Sequence, residues 1–282
     1  MLETREIYTG DSARKVIAAV QTDPGCVREA NEDSGRHISP NDKEVRTGKG
    51  TLTIVADGMG GHASGEVASQ MAVDIISELY YSENCLTPPE ALRNAIEVAS
   101  EEIYEVSVSS EEHMGMGTTV IALVLQNDTG FYAHVGDSRL YRLRAGNLEM
   151  LTIDHSQVME MVKQGVITME QARDHEDKNV ILRAVGTQGG VEVELSEIFK
   201  VELGDTFLLC SDGLSDMLEN VEIEAILNDA SDLHTACTGL ISAAKYNGGH
   251  DNITAGLVRI AEQDTTIASD GVRVTREFEA LA

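Results

Sequence analysis

Apolar positions along the chain fall into two rhythms. Short, nearly unbroken runs rich in β-branched residues predict strands: "KVIAAVQTD" (15–23), "TLTIVA" (51–56), "TTVIALVLQ" (118–126), "GFYAHV" (130–135), "TFLLC" (206–210) and "ITAGLVRI" (253–260). Longer stretches with near-helical spacing predict helices. Residues 64–80 align Val67, Met71, Ile75 and Leu79, residues 88–108 open on Pro88 and Pro89 after a Thr87 cap, and residues 232–247 stop at "NGG". The links between the strands at 118–135 are short, which favours antiparallel pairing, while helices group at 64–108 and 214–247. The expected fold is therefore α+β, a β-sandwich flanked by helices. Residues 152–190 mix short helical pieces with polar loop and predict a flap on the main body. The segment 37–50 is longer than a tight hairpin needs, and residues 262–282 follow the last strand as a tail.

Composition narrows the interior. The chain has 282 residues, enough for one large domain or two small ones, with 42% apolar but only 4% aromatic residues and no Trp. Aliphatic side chains and Met must therefore fill the core. A net charge of −27 argues against a nucleic-acid or anionic-membrane surface, because phosphate contacts need Lys and Arg. That charge suits a cation-binding protein, although an ordinary acidic surface is the simpler account of it. Cys26, Cys85, Cys210 and Cys237 show no CxxC spacing, which fits neither a zinc knuckle nor a disulfide framework. Cys210, inside "TFLLC", reads as a small core residue. The N-terminus lacks an apolar leader, and no run approaches the ~18 residues of a membrane span. The expectation is a cytoplasmic protein and a monomer, since nothing in the sequence requires more.

Candidate chemistry lies at the strand ends. The run 51–56 delivers Asp57 into a stretch holding Gly58, Gly60, Gly61 and Gly65, and an unpaired carboxylate out of water is costly. The pattern recurs: Asp137 follows a strand in "HVGDSRLY", Asp212 and Asp216 follow one in "LLCSDGLSD", Asp251 precedes one in "GGHDNIT", and "REANEDS" supplies Glu32 and Asp33. One Asp-Gly after a strand is usually a turn. Several converging are different, since two carboxylates ~4 Å apart repel by about 4 kcal/mol at an effective dielectric of 20. Three or more need a divalent cation, and all-oxygen donors point to Mg²⁺ or Mn²⁺ rather than zinc. Arg28, four residues before Glu32, could carry a guanidinium to the same place for a phosphate.

In order and wording, "REANED", "VADGMGGHASGE", "GMGTTV", "HVGDSRLYRL", "LTIDHS", "NVILRAVG", "LLCSDGLSDML" and "GGHDNIT" resemble the successive motifs of metal-dependent Ser/Thr protein phosphatases of the 2C type, above all the bacterial members that oppose Ser/Thr kinases. The resemblance implies a sandwich of two mostly antiparallel sheets with helices on both outer faces, in one domain over 12–261. It also implies a binuclear Mn²⁺ or Mg²⁺ centre. Asp57 would bridge both ions, the Gly58 carbonyl would bind one, and Asp212 and Asp251 would hold the other. Glu32 and Asp33 would act mainly through metal-bound water, and Arg28 would bind phosphoryl oxygens. Asp137, Asp212 and Asp216 match the positions of a third, weaker metal. The implied reaction is hydrolysis of phosphoserine and phosphothreonine monoesters on proteins by a metal-activated bridging hydroxide, with no covalent intermediate and with a Ser/Thr kinase as counterpart. Where distant relatives carry a His after Asp-Gly this chain has Met59, with His62 three residues later.

Other classes fit less well. "GMGGHA" (58–63) satisfies the loose dinucleotide pattern, but Asp57 would face the pyrophosphate, and the position ~20 residues on falls in a helix where a strand ending in an acid is needed. No G-x-x-x-x-G-K-[S/T] occurs, which excludes a Walker-type NTPase. A non-catalytic sensor or scaffold on the phosphatase fold would need missing ligands, and none is missing.

Overall fold

Apolar runs without alternation arise where a strand is covered on both faces, and the computed structural model shows that arrangement. Residues 3–8, 14–60, 64–82 and 84–262 are described, the first of these by backbone only; His62 and residues 263–282 of the tail lie outside them. Strands and helices are numbered by chain position. One sheet runs in the order β1 (Glu3–Tyr8), β2 (Arg14–Asp23), β13 (Ile253–Glu262), β12 (Thr206–Cys210), β8 (Arg139–Arg144) and β9 (Asn147–Met150). The second runs β10 (Glu194–Leu195), β7 (Thr129–Val135), β6 (Val120–Gln126), β4 (Thr51–Met59) and β3 (Asp33–Ile38). Beside that path, β11 (Phe199–Lys200) pairs with β7 and β5 (Gly117–Thr118) with β4. All of these pairings are antiparallel.

The side-chain period of two divides each central strand between two cores. In β4, Leu52, Ile54 and Ala56 face α2 (Ser64–Ser82) and α3 (Pro88–Ser109), joining Val73, Ile76, Ile96 and Ile103. Val55 points the other way, into a cluster between the sheets with Val16, Ile121, Phe207, Leu209 and Val258. On the far side Leu208, Cys210, Ala255 and Leu257 pack against α7 (Asn220–Asp229) and α8 (Leu233–Tyr246) through Ile223, Leu227 and Leu240. Each fully buried Leu or Ile contributes about 1.5–3 kcal/mol. The result is the expected α-β-β-α layering. Cys210 is a core residue, and burial pushes its thiol up to about 12.

Several elements depart from the sequence expectation. The strand expected to end at 56 continues to Met59, because Asp57 pairs with Asp33 on β3 and Gly58 with Thr118 on β5. The long 37–50 link holds α1 (Lys43–Lys49), whose Asp42 cap accepts from the amides of Glu44 at 2.8 Å and Val45 at 3.0 Å. Strand β8, "RLYRLR", carries three arginines, and each finds an acid: Arg139 pairs with Asp154, Arg142 with Glu149, Arg144 with Asp205. The Thr87 cap is present, with Glu90 accepting from the Thr87 amide at 3.1 Å.

The 152–190 segment, expected as a flap, holds α4 (Gln157–Lys163) and α5 (Met169–Arg173). Its two ends are laced together by Leu182 N–H donating to the His155 carbonyl at 2.7 Å and Gln157 N–H donating to Val180 at 2.9 Å. Arg139 holds Asp154 through Nε at 3.0 Å and Nη2 at 2.7 Å, fixing the flap's base to β8. Between β12 and α7 lies the short α6 (Asp212–Ser215). No helix among the described residues is long and apolar enough to cross a membrane.

Candidate metal centre

Strand ends from both sheets meet at one edge of the sandwich, and they deliver the carboxylates. Asp57 sits directly across the β3–β4 ladder from Asp33. Its backbone is fixed on both sides: its amide donates to Thr119 Oγ1 at 3.0 Å, and its carbonyl accepts from Thr118 Oγ1 at 2.9 Å and the Thr119 amide at 2.8 Å. Asp212 opens α6 straight after β12, and the Asp216 amide returns to the Asp212 carbonyl at 2.7 Å. Asp137 follows β7, with Ser138 Oγ 2.7 Å from Thr119 Oγ1. Asp251 precedes β13.

The electrostatics of this group show a strongly anionic interior. Burial raises the Asp57 carboxyl well above the carboxylate range, and the charges of Asp33, Asp212 and Asp137 raise it further. Asp137 is pushed up to about 8, first by burial and then by Asp212. Asp33 is raised to about 7 by burial, against the lowering effect of the Thr254 and Ser211 hydroxyls. Asp212 is raised to about 6, again by burial first and then by Asp216 and Asp251. Side-chain oxygens of Asp33, Asp137 and Asp212 are buried without a hydrogen-bond partner. Orphaned carboxylate oxygens that repel one another are what a divalent cation site requires of its protein, and an all-oxygen donor set suits Mn²⁺ or Mg²⁺. The residues fit such ions.

The structure refines several of the expected roles. Asp33 is buried, and its Oδ2 accepts from Ser211 Oγ and Thr254 Oγ1, both at 2.7 Å, so one oxygen already serves the scaffold. Glu32 lies at the start of α2, where it accepts from the Gly65 amide, a favourable place for a carboxylate. Burial nonetheless raises it. Arg28 does reach the cluster, with Nη2 2.7 Å from Asp251 Oδ2, and that bond is the main cause raising its pKa. Asp216 is held from the flap by Lys178 Nζ at 2.7 Å. Lys178 had no sequence signal of its own, nor did the hydroxyl brace of Thr118, Thr119, Ser138, Ser211 and Thr254, although Ser138 and Ser211 each adjoin an aspartate in the sequence.

Gly58 packs where no side chain fits. A Cβ there would meet the Gly65 carbonyl oxygen at 2.0 Å and the Glu32 carbonyl oxygen at 2.5 Å. Both obstacles are backbone, so Gly58→Ala is expected to destabilise by about 3 kcal/mol, lowering Tm by roughly 6–12 °C. Thermal unfolding checks this; an unchanged Tm would mean the strand and the helix start are not in such close contact.

A second group, His134, His155 and Glu194, brings its ligand atoms within 4.8 Å of one another beside the flap base. Its geometry is that of a brace. The two imidazoles stack with centroids 4.5 Å apart at 14°, whereas a shared ion would have to lie in both ring planes. His155 Nδ1 accepts from the Gly136 amide at 3.1 Å, which leaves the ring proton on Nε2 to be donated to Glu194 at 3.1 Å.

Comparison with known proteins gives a consistent result. The family profile described as Protein phosphatase 2C matches residues 37–248. The serine/threonine phosphatase stp of Listeria monocytogenes is 40% identical over 253 residues, spanning 88% of this chain and 96% of its own. Among solved structures, serine/threonine phosphatase Stp1 from Staphylococcus aureus superposes with a TM-score of 0.80 at 32% identity, covering 91% of this chain and 98% of that one. The catalytic domain of the phosphatase PstP, solved in complex with two manganese ions, gives a TM-score of 0.76 at 33% identity, covering 88% and 100%.

Proposed function

This chain belongs to the protein phosphatase 2C family, and on that premise we propose how its own residues carry the reaction of a metal-dependent protein serine/threonine phosphatase. It hydrolyses phosphoserine and phosphothreonine monoesters on proteins, with Mn²⁺ or Mg²⁺ as cofactor. The observation that carries this reading is the convergence of Asp33, Asp57, Asp137 and Asp212, mutually repelling and with unpartnered oxygens on Asp33, Asp137 and Asp212, beside the exposed guanidinium of Arg28.

Asp57, the Gly58 carbonyl, Asp212 and Asp251 would hold the two ions, with Asp57 shared between them. Glu32 and Asp33 would act mainly through water bound to the ions, and Asp137, Asp212 and Asp216 would hold a third ion more weakly. When bound, the two ions acidify water and polarise the phosphoryl group for in-line displacement without a covalent intermediate. Arg28 binds the phosphoryl oxygens: only its Nη2 is engaged with Asp251, and about half of its side chain is exposed. It also stabilises charge that develops as the leaving oxygen departs. Cys210, which ends β12 two residues before Asp212, is fully buried on the helix side of that strand. The flap at 152–190, in a catalytic domain over 12–261, borders the cluster through Lys178 and is where the protein substrate is selected. A Ser/Thr kinase is the functional counterpart, and the enzyme works as a cytoplasmic monomer.

The test is hydrolysis of p-nitrophenyl phosphate and of a phosphothreonine peptide by the purified chain, with Mn²⁺, with Mg²⁺ and with chelator. Turnover that depends on added metal is expected. Folded, metal-binding protein that hydrolyses neither compound would overturn the reading and leave a sensor or scaffold.

A further inference from the structure

Arg28 lies on a stretch, residues 24–32, that has no regular structure of its own between β2 and β3. A guanidinium that must meet a phosphoryl group within a few tenths of an ångström cannot rely on a loose loop, since small misplacements of a binding group are costly to rate. One buried side chain ties the loop on both sides of Arg28. Asn252, 4% exposed, accepts from the Glu32 amide through Oδ1 at 2.8 Å and donates through Nδ2 to the carbonyls of Pro24 at 3.1 Å and Ala30 at 2.9 Å. The amide's orientation is forced, because its partners are one N–H and two carbonyl oxygens, and a flip would mismatch all three.

The two carbonyls it holds bracket Arg28, two residues before Ala30 and four after Pro24. The neighbouring residue, Asp251, holds the Arg28 guanidinium itself at 2.7 Å. One dipeptide thus sets both the backbone of the arginine and its resting counter-ion. Other contacts seat the loop's ends: the Cys26 amide donates to the Gly249 carbonyl at 2.7 Å, Gly25, at φ +80°, lies against the Asp251 carbonyl where a Cβ would come within 2.1 Å, Asn31 Nδ2 donates to Thr22 Oγ1 at 2.8 Å, and the Glu32 carbonyl accepts from the Gly58 amide at 3.1 Å and Ser69 Oγ at 2.6 Å. Past Arg28, Asn252 supplies the ties to the strand at Ala30 and Glu32.

We infer that Asn252 is a positioning residue for phosphoryl recognition: its side-chain amide staples the 24–32 loop to the start of β13 and so fixes Arg28 over the metal centre. This deepens, and rests on, the phosphatase reading. The alternative is that Asn252 serves the fold in general, satisfying three buried backbone groups with no particular bearing on Arg28. The two differ in how the effect of losing Asn252 depends on Arg28.

The experiment is a double-mutant cycle on the full chain with saturating Mn²⁺, comparing parent, Asn252→Ala, Arg28→Ala and the double variant. Readouts are kcat and KM for a phosphothreonine peptide, the affinity for inorganic phosphate by calorimetry, and Tm. Asn252→Ala is expected to lower kcat/KM and weaken phosphate roughly ten- to a hundredfold with Arg28 present, and by less than about twofold once Arg28 is gone. Equal losses in both backgrounds, or no loss in the single variant, would overturn the inference. If Asn252→Ala does not fold, the isosteric Asn252→Asp, which keeps the acceptor and loses both donors, runs the same cycle. A parent that binds phosphate but shows no metal-dependent turnover would instead count against the phosphatase reading, and the phosphate arm would still decide the role of Asn252.

Discussion

Replacing Asp57 by Asn is expected to lower kcat/KM by at least about a thousandfold with a phosphothreonine peptide, a loss of roughly 4 kcal/mol in transition-state stabilisation. The substitution keeps the shape of the side chain. The bonds that hold the residue on β4, from Thr118 and Thr119, all go to its backbone and survive the change. What is removed is a charge at the point where three other carboxylates look for a shared cation, so metal affinity and turnover fall together. The same variant makes an opposite prediction for the chelated protein. Without ions, burial raises the Asp57 carboxyl well above the carboxylate range, and the charges of Asp33, Asp212 and Asp137 add to it. Removing its charge relieves that repulsion, so at pH 8 in chelator the variant should melt no lower than the parent. Metal titration by calorimetry, turnover and thermal unfolding measure the three effects on one preparation. A variant that keeps a tenth of the parent's activity at saturating Mn²⁺ would show that Asp57 is not the residue on which the ions depend.

The site was legible in the sequence because its chemistry is local. Asp57, Asp137, Asp212 and Asp251 each stand at the end of an apolar run, next to or near a glycine, and a carboxylate in that place needs a reason. The same locality made β12 legible: "TFLLC" is buried on both faces, and every position reports it. Strand β8 was not read as one from its own pattern, because its three arginines break up the apolar signal, and only the structure supplies the acids that neutralise them. Strand β3, "DSGRHI", hides for a related reason. Its outward positions meet α2 through polar pairs, Ser34 with Ser69 and Arg36 with Asp74, rather than through hydrocarbon. What braces these carboxylates and the Arg28 loop was invisible on other grounds. The bond from Ser211 to Asp33 spans 178 positions and those from Asn252 to the Arg28 loop more than 220, so no window on the sequence contains both partners.

Chelated protein is expected to lose thermal stability as pH rises from about 5 to 8, and metal-loaded protein is not. Burial raises Asp33 to about 7, Asp137 to about 8 and Asp212 to about 6, all above the value near 4 of an unfolded aspartate. A carboxyl raised on folding favours its neutral form in the native state. Its contribution to stability is therefore complete below the unfolded value and is lost as pH climbs through the folded one. The loss falls between about pH 4 and 8, in the sense opposite to that of a salt-bridged aspartate. For the two most buried groups, Asp33 and Asp137, it amounts to several kcal/mol, or roughly 10 °C in Tm for a chain of this size. Divalent ions reverse the balance: they bind the ionised carboxylates, binding releases protons, and the stabilisation they supply grows with pH. The gap between the melting temperatures in Mn²⁺ and in chelator should thus be small at pH 5.5 and large at pH 8. Asp137→Asn, which cannot ionise, should flatten the chelated curve, and this separates the site from the many exposed acids of a chain with net charge −27. If the chelated parent instead held or gained stability across pH 6 to 8, the carboxylates would be ionised and satisfied without metal, and the case for a cation at their centre would fail with them.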